Sequence, residues 1–90
     1  MIEEIVVMLK PTELKHTVYI MSANSEIIPI TIQCTGDELL STVAMSAAKY
    51  QIDNIKLKGA KDYTSGVKEQ LQNKVNTCFG VNNKITIELI

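Results

Sequence analysis

Along this chain the spacing of hydrophobic positions switches between a period of two and a period near 3.6, and each switch marks a new element. Residues 5–9 (IVVML) are apolar at every position and rich in branched side chains, the pattern of a strand central in its sheet or covered on both faces. Lys10, Pro11, Thr12 and Glu13 end that run. Residues 17–22 (TVYIMS) read as a second strand, and Ala23, Asn24, Ser25 and Glu26 have the polar chemistry of a tight turn into a third, residues 27–33. Ile28, Ile30 and Ile32 share one face of the third strand, while Pro29 deletes a ladder donor. A proline there predicts an edge strand.

The helices carry sharper punctuation. Thr35, Gly36, Asp37 and Glu38 form a capping box, in which hydroxyl and carboxylate satisfy each other's backbone N–H groups, so a helix is predicted to start there. Leu39, Val43, Ala47 and Tyr50, beside Leu40 and Ala44, give it one apolar face to about residue 50, with Ser41, Thr42, Ser46 and Lys49 opposite. Residues 54–58 alternate as a strand with one wet face: Ile55 and Leu57 on one side, Lys56 and Lys58 on the other. A turn from Gly59 to Asp62 leads to a second helix whose stripe is Tyr63, Val67, Leu71, Val75 and Cys78. Asp62 or Ser65 is the predicted cap, and Gly80 is placed to end the helix in a left-handed conformation. Residues 84–90 form a last strand, with Ile85, Ile87 and Leu89 facing away from Thr86 and Glu88.

The order β-β-β-α-β-α-β predicts an α/β (α+β) two-layer sandwich: a mixed five-stranded sheet with two helices packed mainly on one face. The first three strands are expected to form an antiparallel meander, and the fourth and fifth, joined through a helix, to lie parallel. No repeat or low-complexity segment divides the chain, so residues 1–90 are read as a single domain. This layout is similar to that of the ribonuclease H and actin half-domains. A ribonuclease H site would need carboxylates on the first and fourth strands to hold two divalent ions. Here Glu3 and Glu4 precede the apolar body of the first strand and lysines occupy the fourth, while the isolated glycines match no phosphate loop. Neither a metal nor a cofactor is expected, and the layout alone assigns no family.

Composition narrows the functional classes. A hydrophobic fraction of 46% with 21% charged residues is that of a folded soluble domain. No apolar run approaches the roughly 18 residues that span a bilayer, and Glu3 and Glu4 stand where a signal peptide would be basic, so a cytoplasmic location without membrane contact is expected. Nine Lys and Arg residues together, all lysine, and a net charge of −1 exclude a strongly basic nucleic-acid binder. The richness in Ile, Lys and Asn suits an AT-rich genome, and the small size suits a bacterial, phage or mobile-element gene. Cys34 and Cys78 are too few and too far apart for a disulfide framework or a zinc site and read as small hydrophobes in or near the core.

Catalysis finds little footing. His16, the one histidine, lies between two predicted strands without a carboxylate beside it and reads as an exposed loop residue. Cys34 immediately precedes a helix start, where its thiol would be activated if exposed, but a packed strand-end thiol is the simpler reading. Lys56, Lys58 and Lys61 cluster on one strand and the following turn as a candidate anion or nucleic-acid patch, with few aromatics to stack bases. Outward apolar positions Tyr19, Met21, Ile27 and Pro29 mark a candidate protein interface. The function expected is a small, non-enzymatic interaction or accessory protein working through protein–protein contacts, self-association as a homodimer included. The alternative is a nucleic-acid or phosphate-binding module built on the three lysines.

Overall fold

In the computed structural model, which describes residues 2–10, 12–22 and 30–90, the elements run β1 (Ile2–Met8), β2 (Lys15–Ser22), β3 (Ile30–Thr35), α1 (Gly36–Tyr50), β4 (Asn54–Lys58), α2 (Lys61–Phe79) and β5 (Thr86–Leu89). They build one five-stranded sheet in the order β3-β2-β1-β4-β5. β1 pairs antiparallel with β2 and parallel with β4, β3 extends the meander from β2, and β5 lies parallel to β4. The central place of β1 accompanies its unbroken apolar run: both of its flanks are hydrogen-bonded to strands, Ile5 and Val7 are fully buried beneath the helices, and Val6 and Met8 are half-buried on the other face.

Strand parity assigns the core. Ile5, Val7, Val18, Ile20, Ile55, Leu57 and Ile87 point to one face, where the buried positions of α1 (Leu39, Val43, Ala47) and α2 (Val67, Leu71, Val75) meet them. α1 lies over β3, β2 and β1, α2 lies over β5 and β4, and the helices also touch each other, so both occupy the same layer. The β4–α2 turn is held tightly against β1: a Cβ on Gly59 would sit 3.0 Å from the Leu9 carbonyl oxygen and 3.2 Å from Thr64 Cγ2. Only a residue without a side chain allows the approach that gives the 2.9 Å hydrogen bond from Leu9 N–H to the Lys58 carbonyl.

The capping box forms at Thr35, where the Glu38 carboxylate accepts the Thr35 hydroxyl at 2.8 Å and its backbone N–H at 3.4 Å. β3 stands at the sheet edge, as a proline-marked strand should, although residues 27–29 lie outside the described residues and β3 continues two residues beyond the predicted end. β2 starts at Lys15, two residues early, which moves His16 from a loop into the ladder. Ala60 caps α2 instead of Asp62 or Ser65, and Asp62 instead places its carboxylate in the first turn, where the helix dipole favours it. Gly80 has a positive φ of 92° but an extended ψ of 159°, so it stops α2 without adopting a left-handed helical turn. Thr64 replaces Tyr63 at the buried head of the α2 stripe, Cys78 is exposed, and Ser46 is buried on the core side of α1.

Candidate interface on the helix-free sheet face

The face away from the helices carries every second residue of each strand. Register lines them up in rows: Thr31, Tyr19, Val6, Lys56 and Glu88 cross the whole sheet, and Gln33, Thr17, Met8 and Lys58 form the next row. Met21 stands opposite Glu4 one step the other way. Val6, Met8, Tyr19 and Met21 therefore form an apolar strip over the two central strands, all of them half-buried against one another, with no described element laid over them. Tyr19 and Met21 were legible as outward apolar positions. Val6 and Met8 were not, because in an all-apolar run nothing in the sequence marks which residues face the helices. Ile27 and Pro29 lie outside the described residues.

Three charged residues of this face, Glu4, Lys56 and Glu88, stand together. Lys56 Nζ lies 3.0 Å from Glu4 Oε2 across the β1–β4 pair, and Lys56 faces Glu88 in register on β5. Hydrogen bonding to Glu4, then the charges of Glu4 and Glu88, hold the Lys56 ammonium above its ordinary pKa. Lys58 is exposed on the same face, whereas Lys61 is exposed at the start of α2, in the helical layer. The structure thus places two of the three patch lysines on one face and gives one of these a carboxylate partner. Asn54, also on this face, has a buried amide oxygen without a hydrogen-bond partner among the described residues.

On the opposite face His16 and Cys34 face each other across β2 and β3. His16 is buried, which corrects its reading as an exposed loop residue. The Lys10 backbone N–H donates to His16 Nδ1 at 3.0 Å, so in the neutral ring the proton sits on Nε2, 3.4 Å from the Tyr63 hydroxyl. Both ring nitrogens are engaged in tying the β1–β2 connection to α2. Cys34 is buried, and burial pushes its thiol pKa up, with the Glu38 charge adding to the rise and a hydrogen bond from Thr42 opposing it. A protonated, enclosed thiol is a poor nucleophile. Among the described residues no group of three His, Cys, Asp or Glu is arranged to hold a metal, and no helix is long and apolar enough to cross a membrane. Comparison of the chain with protein-family models, curated proteins and solved structures found no match.

Proposed function

We propose that this chain is a small, non-enzymatic, cytoplasmic interaction module that receives a partner protein on its helix-free sheet face. The observation that carries the reading is the strip Val6, Met8, Tyr19 and Met21, flanked by the Glu4–Lys56 pair. Two flexible thioethers and an amphipathic aromatic ring adapt to an apolar ligand surface while keeping a polar rim. Four residues of strand carry the strip over roughly 13 Å, close to two and a half turns of helix, so the occupant that fits is an amphipathic helix of a partner protein. The non-enzymatic part rests on His16 and Cys34, whose reactive atoms are committed to structure. The cytoplasmic part rests on two free cysteines, one of them exposed, which suits a reducing compartment.

Selection of displayed amphipathic helical peptides against the immobilised chain tests this. Binders should shift the amide resonances of residues 4–8 and 17–21 and lose binding in a Tyr19→Asp, Met21→Asp double variant. Binders indifferent to both substitutions would sink the reading. Tight binding of mixed-sequence DNA or RNA at low salt that collapses as salt rises would replace it with the lysine-patch reading.

A further inference from the structure

We propose that two copies of this chain associate through the outer edge of β3 and the adjoining flank of α1, joining their sheets into one. β3 (ITIQCT) is six residues of branched and polar uncharged side chains, without glycine or proline, at the edge of the sheet. Among the described residues nothing pairs with its outer side. Pro29 stands before it in the chain, but from Ile30 to Thr35 the edge carries none of the charges or prolines that usually keep strands from pairing. Among the described residues its backbone donors and acceptors are therefore open to another strand.

The helix above that edge selects the strand that docks. α1 doubles back over β3 and β2, and Thr42, Met45, Ser46 and Lys49 line an open groove of about 280 Å³ with Ile32 and Tyr50. Glu38, Thr42, Met45 and Lys49 follow one another at intervals of four, three and four residues, so they form a single stripe along the β3 side of the helix. Met45 is 70% exposed on this stripe. Glu38 and Lys49 at its two ends have no ion-pair partner among the described residues.

A two-fold axis perpendicular to the sheet near the middle of β3 pairs the two edge strands antiparallel and keeps both helical layers on one side. The two α1 helices then run antiparallel, which sets Glu38 of each copy beside Lys49 of the other and Thr42 beside Met45. The stripe is therefore complementary to itself, in charge and in apolar contact, and a second copy is the occupant it fits. α1 reaches from β3 over β2 to β1 and touches α2. Its axis therefore lies half to one strand spacing in from the edge, and the two α1 helices stand roughly 10–14 Å apart, a gap that the long side chains of Glu38, Met45 and Lys49 bridge. This surface is distinct from the helix-free face, so the dimer and the docking strip can each fail alone.

Sedimentation equilibrium of the full chain, from micromolar to millimolar protein at low salt, tests the proposal. The unsubstituted chain should show a reversible monomer–dimer equilibrium. Lys49→Glu and Glu38→Lys, each alone, set like charges against one another twice per dimer and should weaken it about tenfold or more. Mixing the Lys49→Glu chain with the Glu38→Lys chain should restore dimers, because each mixed pair regains both opposite-charge contacts. Loss of the Thr35 capping contact in Glu38→Lys would not be rescued by mixing, so that rescue separates the interface from a folding defect, and circular dichroism of each variant checks the helices. A chain that stays monomeric at millimolar concentration, a dimer indifferent to Lys49→Glu, or a mixture of folded variants that remains monomeric would each overturn it.

Discussion

The two edges of the sheet are finished in opposite ways. β5 is short, carries Glu88 on its open face, and has Ile87 buried beneath α2. Its entry is tied to α2 by a chain of side-chain amides, in which Gln72 donates to Asn76 at 3.1 Å, Asn83 donates to Asn76 at 2.9 Å, and Asn83 in turn accepts the Ile85 N–H at 3.0 Å. β3 is longer, uncharged, and shielded by α1 over only part of its width, with Ile32 half-buried and Ile30 exposed. Among the described residues neither edge has a strand partner on its outer side; β5 is the closed edge only in being short, charged and tied to α2, and β3 is the open one. Stability of the single copy and assembly of two copies should therefore respond to different edges.

The largest effect is expected at the closed edge. Ile87→Ala removes a fully packed side chain and should cost about 2–4 kcal/mol in urea denaturation. That loss should be the same at every protein concentration. A loss that changes with concentration would place Ile87, and β5 with it, in an interface. A smaller effect is expected at the open edge. Thr31→Lys adds an exposed charge to β3 and should raise the dimer dissociation constant roughly fivefold, near 1 kcal/mol, while leaving the single copy's stability almost unchanged. Thr86→Lys, the corresponding charge on β5, should leave the dissociation constant alone. Equal responses at Thr31 and Thr86 would erase the difference between the edges.

Much of this architecture was legible because it is written in local chemistry. The wet and dry sides of β4 follow from alternation alone, and the predicted bounds, residues 54–58, coincide with Asn54–Lys58. The start of α1 follows from Thr35 and Glu38, whose hydrogen bonds join residues three apart. What escaped is long-range. Lys56 is neutralised by Glu4, 52 positions earlier in the chain, and only the parallel β1–β4 pairing brings them together. His16 reads as polar and exposed in sequence, yet β2 begins two residues early and Tyr63, 47 residues on, supplies its ring with a hydrogen-bond partner. Cys78 keeps helical spacing with Val75 and Leu71 but lies in the last turn of α2, where the stripe runs past the core. The self-complementary stripe of α1 was partly visible as its polar side, although the strand beneath it had to be placed before that side acquired a neighbour.

The smallest effects are read at the two thiols, one of which sits on the open edge. Cys78 is exposed on α2 and should be alkylated quickly, at a rate independent of protein concentration. Cys34 lies on β3, buried, with its pKa raised from the ordinary 9.0, so it is both enclosed and protonated near neutral pH. It should react slowly, and more slowly still as concentration rises, because a second copy paired along β3 suppresses the local opening that exposes it. The raised pKa also fixes a sign with pH. A group that ionises less readily folded than unfolded favours the folded chain below its unfolded pKa, and that advantage is lost as pH rises from there through the folded value. Between pH 8 and pH 10 the chain should therefore lose stability relative to its Cys34→Ala variant in urea titrations at each pH. Cys34 alkylated as fast as Cys78 at high concentration, with the fold intact, would mean that β3 opens freely and that no copy pairs with it.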